Sequence, residues 1–125
     1  MFSHVMLGSS DLNKSKEFYD AILGVLGYEA GFMDEARERC FYRAKSGVFA
    51  FGTPIDGNPV SIANGGTIGF SASDSATVDL WYAAGIANGG TACEDPPGVR
   101  EGGGHKAYCA YLRDPDGNKL SAVFR

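Results

Sequence analysis

Two histidines are the residues most able to do acid–base or metal chemistry in this chain. His4 lies in the first apolar segment, and His105 follows the glycine run Gly102–Gly104. A neutral imidazole can bind a divalent metal, and its charge changes near neutral pH, so either residue could be a ligand, a substrate contact or a general base. Each also has a plainer interpretation, His4 as a strand histidine hydrogen-bonded within the fold and His105 as a solvated loop residue.

The number and spacing of the cysteines indicate the cellular compartment of the protein and give little information about its function. Cys40, Cys93 and Cys109 are odd in number, with no Cys-x-x-Cys pair and no zinc-type spacing. We therefore expect reduced, structural thiols in a cytoplasmic protein. The chain begins without the basic and apolar stretches of a signal peptide, and no apolar run approaches the length of a membrane span.

Length and charge limit the partners. A chain of 125 residues predicts one domain. The net charge is −4 and the basic residues are scattered, which argues against a nucleic acid or an anionic membrane as partner.

The stretch LRDPDGNKLSAVF, from Leu112 to Phe124, predicts a hairpin with a tight turn at Asp114–Gly117. Because side chains alternate along a strand, Lys119 and Ser121 share one face. Lys119 is either a solvated rim lysine or a cationic contact to an acidic ligand.

Two tyrosines precede this hairpin. Tyr111 shares a face with Cys109 and Arg113, whereas Tyr108 lies on the opposite face. One of the two should reach a pocket with its hydroxyl, and the pattern does not say which.

The chain repeats itself after 63 residues, where HVMLGSSD lies over TIGFSASD. Helix caps and stops coincide, and so do aromatic positions within the helix, which indicates a true internal repeat. The matched pairs are Ser10/Ser73, Asp11/Asp74, Phe18/Trp81, Tyr19/Tyr82, Ala21/Ala84 and Gly27/Gly90.

Each half reads as a strand, a helix and three further strands. We predict an α+β fold of two βαβββ modules that form a cupped mixed sheet with helices on its outer face. Module one covers 1–53, a linker 54–66 and module two 67–125. Glu94–Gly104 is predicted to be a long loop that could close over a pocket. Trp81 falls on the second helix and is expected to be packed.

These motifs resemble the vicinal oxygen chelate superfamily, which includes glyoxalase I, extradiol dioxygenases, and bleomycin- and fosfomycin-resistance proteins. HVMLGSSDLNKSKEFYDAILGVLGY resembles that family's first strand and helix, GGTIGFSASD its second module, and DPDGNKLSAVF its closing hairpin. The resemblance covers the whole chain and points to the glyoxalase-like branch.

The resemblance implies a divalent metal held at four strand positions, one in the first and one in the last strand of each module. Those positions fall on His4, on Thr67, on Phe49 or Phe51, and on Ser121. Only His4 is a good ligand, so we expect the metal site to be lost or badly weakened, with no cofactor. Phe49 and Phe51 default to core packing, or else form an apolar floor of the cup.

The resemblance also implies a function. We expect a small-molecule-binding protein or a metal-independent enzyme, acting as a homodimer on a small apolar or aromatic ligand. One alternative is a lyase of the lactoylglutathione type, favoured over a dioxygenase, which would need Zn, Ni, Mn or Fe and replacement ligands such as His105 and Glu101. A drug-sequestering resistance protein is the other. The candidate pocket residues are His4, Phe49, Phe51, Thr67, His105, Tyr108, Tyr111, Lys119 and Ser121.

Overall fold

The computed structural model describes residues 1–125 and contains two helices and eight strands. In chain order the elements are β1 (His4–Gly8), α1 (Leu12–Val25), β2 (Phe32–Asp34), β3 (Arg39–Ala44), β4 (Gly47–Gly52), β5 (Ile68–Ser71), α2 (Ser75–Ala87), β6 (Thr91–Gly102), β7 (His105–Arg113) and β8 (Lys119–Phe124). The segment between β4 and β5 holds neither helix nor strand.

The strands form two sheets of the same topology. Their orders are β1-β4-β3-β2 and β5-β8-β7-β6, so the first and last strands of each module lie side by side. That pair, at one edge of each sheet, is parallel, and the other neighbours are antiparallel. The predicted α+β fold of two βαβββ modules is confirmed, with the strands divided between two four-stranded sheets.

Both helices begin at the aspartates that the repeat aligned. The Asp11 side chain accepts a hydrogen bond from the backbone N–H of Lys14, and Asp74 accepts one from Thr77, so each caps an unpaired helix donor. Gly27 follows α1 with φ +93°, but the matching residue after α2 is Gly89, at φ +98°, rather than the expected Gly90. Neither helix combines the length and hydrophobicity needed to cross a membrane.

One hydrophobic core joins the two modules. Phe18 of α1 and Trp81 of α2 are fully buried, as expected for matched positions of a repeat. The Tyr19 ring lies 4.7 Å from Phe49 and 5.4 Å from Phe51, measured between ring centroids. The helices therefore cover one face of the strands and leave the opposite face open. Trp81 is packed, as predicted.

A buried carboxylate in the β7–β8 turn ties the modules together. Asp114 is 3% exposed, and its Oδ2 accepts hydrogen bonds from the Tyr19 hydroxyl at 2.5 Å and from Asn118 Nδ2 at 2.9 Å. Its Oδ1 accepts from the backbone N–H groups of Asp116 and Asn118. Burial and the adjacent Asp114 carboxylate raise the pKa of Tyr19 well above its ordinary value, so the phenol stays protonated.

The same turn also reaches the loop before α1. The Asp116 carboxylate accepts hydrogen bonds from the backbone N–H and the hydroxyl of Ser10. Asn118 Nδ2 approaches the Gly8 carbonyl at 3.4 Å. The turn therefore contacts module one at the end of β1, at the start of α1 and within α1.

The prediction that Glu94–Gly104 is a loop was wrong. Most of it belongs to β6, whose residues from Gly98 to Gly102 pair with β7, and a bulge separates Cys93 from Gly98. Gly103 and Gly104 make the tight turn, both with positive φ. Prolines and glycines suggested a loop, but a bulge and a hairpin tip accommodate them within a ladder.

Replacing Tyr19 with Phe tests the hydrogen bond between the modules. The ring stays but a bond to a buried carboxylate is lost, so we expect the free energy of unfolding to fall by about 2 kcal/mol. Urea unfolding followed by Trp81 fluorescence measures it. Tyr28→Phe is the matched control, because Tyr28 is 40% exposed and should change stability little. Equal stability of the two variants would contradict this role.

Candidate functional site

The open face of the second sheet carries a cavity of ≈ 470 Å³, called here the module-two cavity. Four of the predicted site residues line it together: Thr67, Tyr111, Lys119 and Ser121. Ser71, Glu94, Val123 and Arg125 line it as well. All of its lining residues belong to module two.

Strand register explains why these residues meet. Ser121 of β8 is paired with Tyr111 on one side and with Gly69 of β5 on the other. Directly paired residues point to the same face of a sheet, so the Tyr111 ring and the Ser121 hydroxyl face the cavity. Ser121 is 4% exposed. A side-chain carbon at position 69 would lie 3.1 Å from the Ser121 hydroxyl oxygen, so Gly69 leaves that space open.

Lys119 and Glu94 form an ion pair at the rim of this cavity. The Lys119 Nζ also lies 5.2 Å from the centre of the Tyr111 ring, within range of a cation–π contact. The hydrogen bond to Glu94 raises the pKa of Lys119, which keeps the ammonium charged. The structure therefore places Lys119 beside the pocket that the sequence associated with an acidic ligand.

Sequence reasoning missed Glu94 as a site residue. It begins the β6 bulge with φ +61°, a left-handed conformation that is unfavourable for a residue with a side chain. The bulge carries its carboxylate to Lys119, which alternation along a regular strand would not predict. The proline pair Pro96-Pro97 was the available signal, because prolines inside a sheet occur at bulges.

Tyr108 and His105 lie away from the module-two cavity. The Tyr108 hydroxyl donates a hydrogen bond of 2.7 Å to Asp79 of α2, so Tyr111 is the tyrosine that faces the pocket. His105 is exposed at the hairpin tip, paired with Gly102, and lines neither cavity described here.

His4 and Phe49 line a different cavity, of ≈ 210 Å³, called here the inter-module cavity. It opens between the start of β1, the end of α1 and β5, and most of its lining is apolar. The Ser3 hydroxyl lies 2.8 Å from His4 Nδ1, which fixes the orientation of an otherwise exposed imidazole. His4 and Phe49 therefore lie at one cavity and the other four pocket-lining candidates at a second. The two cavities adjoin, because Gly69 and Phe70 line both.

The assignment of Phe49 or Phe51 to a metal-ligand position was wrong in its register. Both rings pack against Tyr19 on the helix-covered face, and Phe51 is fully buried. Met6 pairs with Ala50 in module one as Gly69 pairs with Ser121 in module two. The counterpart of Ser121 is therefore Ala50, and a shift of one residue moves a side chain to the other face.

The residues at the four family positions do not fit a divalent metal. They are an imidazole at His4, a methyl group at Ala50, and hydroxyls at Thr67 and Ser121. Zn, Ni, Mn and Fe prefer imidazole, carboxylate or thiolate ligands, and a neutral aliphatic hydroxyl binds them weakly. No three His, Cys, Asp or Glu side chains in the chain are grouped as metal ligands.

Comparison with known proteins agrees with this fold. The sequence profile of the Glyoxalase/Bleomycin resistance protein/Dioxygenase superfamily matches residues 1–121. A solved glyoxalase/bleomycin resistance protein from Albidiferax ferrireducens T118 is 54% identical, with a TM-score of 0.96 over 100% of this chain and 99% of that one.

More distant structures share the fold alone. A glyoxalase-related enzyme from Fulvimarina pelagi is 20% identical, with a TM-score of 0.77 over 100% of this chain and 88% of that one. A lactoylglutathione lyase from Agrobacterium tumefaciens is 21% identical, with a TM-score of 0.67 over 99% and 92%. Among curated proteins, none matches this chain.

Thiol reactivity tests the burial of the three cysteines. Cys40 is fully buried and Cys109 is 5% exposed, whereas Cys93 is partly exposed and paired with Tyr111 on the open face. We expect Ellman's reagent to modify one thiol per native chain quickly and all three after denaturation. Cys93→Ser should abolish the fast phase. A fast phase that survives this change would show that Cys40 or Cys109 is less buried than the structure places it.

Proposed function

This chain belongs to the Glyoxalase/Bleomycin resistance protein/Dioxygenase superfamily, and from that premise we propose that it binds a small molecule without a metal, as a binding protein or a metal-independent enzyme. The observation that carries this proposal is the set of side chains at the family's ligand positions. Only His4 among them is a competent ligand, and Ser121, which the resemblance places at a ligand position, carries only a neutral hydroxyl.

A single imidazole ligand does not bind a divalent ion tightly enough to compete with its hydration by water. Catalytic zinc sites in proteins use three protein ligands and keep a further position open for substrate. Thr67 and Ser121 carry no negative charge, so they neither offset the charge of an ion nor bind it strongly. The inherited scaffold therefore offers a pocket whose polar groups act on a ligand directly.

The pocket residues suit an aromatic or apolar ligand with a polar end. The Tyr111 ring offers a face for stacking, and the hydroxyls of Tyr111 and Ser121 can donate or accept hydrogen bonds. Lys119 supplies a positive charge at the rim. His4 is the residue best able to move a proton near neutral pH if the protein is an enzyme.

We further propose that a second copy of the chain completes each cup. The module-two cavity is lined by module-two residues alone. The open face of the first sheet presents apolar side chains to solvent, with Phe32 at 66% and Met6 at 40% exposure. An apolar sheet face of this kind is the usual sign of a covered surface. The three free thiols are consistent with our proposed cytoplasmic location.

A metal-dependent lyase is the second candidate, favoured by the likeness of fold to the lactoylglutathione lyase. It would need substitute ligands, and His105 and Glu101 are poorly placed for that. Both lie on the exposed hairpin, where Glu101 is paired with Lys106. A drug-sequestering protein would also be a small-molecule-binding protein. Trp81 is fully buried, so its ring could not line a drug-binding groove.

Turnover of the methylglyoxal–glutathione adduct distinguishes binding from lyase chemistry. Chelator-treated protein supplied separately with Ni, Zn, Mn or Co should show no activity above buffer with metal alone, because the ligand set is incomplete. The readout is thioester absorbance, with metal per chain measured after dialysis. One metal per chain that survives dialysis, with turnover, would replace our proposal by the lyase.

Restoring ligands tests the same proposal in the opposite direction. The double variant Thr67→His, Ser121→Glu should bind Zn or Ni at least about tenfold more tightly than the native chain, since each added ligand strengthens chelation. Adding His4→Ala to the double variant should reverse the gain. Calorimetric titration measures all three proteins. Failure of the double variant to bind any of these ions would mean that the ligand positions are misplaced.

Sedimentation equilibrium tests whether two copies of the chain associate as a dimer. We expect the native chain to be a dimer, and Phe32→Glu to shift it toward monomer, because a buried charge opposes association. Leu80→Glu is the matched control, since Leu80 is 61% exposed on α2, away from the open sheet face. A native monomer, or equal dissociation in the two variants, would contradict the proposed interface.

A further inference from the structure

We propose that the module-two cavity binds the carboxylate of a small organic acid, with Lys119 as its receptor and Glu94 as an internal carboxylate that the ligand displaces. This proposal deepens the proposed function and rests on it for the use of this cavity. It names a chemical class of ligand that a general affinity for apolar molecules would not select.

Positive charge is concentrated here although the chain as a whole carries −4. Lys119 and Arg125 line the cavity, and Arg100 Cζ lies 5.9 Å from the centre of the Tyr111 ring. Two cations therefore flank one aromatic ring, which itself faces the cavity. A flat organic acid can stack on such a ring while its carboxylate meets the cation.

Glu94 has the properties of a stand-in for a ligand carboxylate. It is the one acidic side chain that lines the cavity, and it is paired with Lys119. Its side chain is 43% exposed and that of Lys119 is 25% exposed, so an incoming anion can reach the ammonium. Ion pairs with this much solvent contact are weak, and replacing one carboxylate by another costs little.

The backbone around Glu94 also favours displacement. Between Cys93 and Gly98 the pairing of β6 with β7 is interrupted, so Glu94 is not held by the ladder. Its left-handed φ of +61° is strained for a glutamate. The guanidinium of Arg100 is fixed separately, because its Nη2 donates to the carbonyls of Asp95 and Pro96.

The hairpin provides a matched ion pair for comparison. Glu101 and Lys106 lie 3.6 Å apart near the hairpin tip, with both side chains about two-thirds exposed (67% and 69%). Neither residue lines the module-two cavity. Neutralising Glu101 therefore changes the net charge of the same hairpin by the same amount without touching the site.

Calorimetric titration with benzoate and its neutral counterpart benzamide tests the proposal. Native protein should bind benzoate and not benzamide. Glu94→Gln should bind benzoate about three- to fivefold more tightly, because the ligand no longer competes with a resident carboxylate. Glu101→Gln should bind as the native chain does, and Lys119→Met should lose benzoate binding while keeping a native amide NMR spectrum.

Equal benzoate affinity of the Glu94→Gln and native proteins would overturn the proposal. Equal binding of benzamide and benzoate, or benzoate binding that survives Lys119→Met, would overturn it as well. Failure here is distinguishable from failure of the proposed function. Metal-supported turnover would overturn the proposed function, and the benzoate titrations would still decide whether Glu94 competes with a ligand carboxylate. If there is no turnover and Glu94→Gln does not change benzoate affinity, only the present proposal is overturned.

Discussion

The hydrogen bond from the Tyr19 hydroxyl to the Asp114 carboxylate is the interaction on which the arrangement of the two modules depends. A carboxylate that is 3% exposed must be satisfied by protein donors, because burying an unpaired charge is very costly. Three of the four donors come from the turn itself, and the fourth comes from α1 of the other module. The turn also sets the start of β8, and therefore the positions of Lys119 and Ser121 in the cavity.

Because side chains alternate along a strand, each sheet has one face that packs against the helices in the core and one open face. Phe51 and Tyr42 in the first sheet and Leu112 and Leu120 in the second point to the helices and belong to one buried core. The open faces differ in character: the first exposes Met6 and Phe32, and the second carries hydroxyls and charges. A cup built from one face of each kind would suit a ligand with an apolar body and an acidic end.

The sequence predicted the fold and part of the site because those features have local causes. Helix caps at Asp11 and Asp74 recur with the repeat, and period-two alternation placed Lys119 and Ser121 correctly on one face. Glu94 was missed because a bulge breaks that alternation. The last strand of module one was misread because Phe49 and Phe51 look like a pocket floor, whereas the strand register places Ala50 on the open face.

We infer that the scaffold was kept while its metal ligands were replaced. The most direct test is anomalous diffraction at the zinc absorption edge, from crystals grown with excess zinc. We predict no anomalous peak within coordination distance of His4 Nε2 or the Ser121 hydroxyl, in either copy of a dimer. A strong peak shared by His4 and Ser121 would contradict the account, because it would show that the inherited metal site still works with these residues.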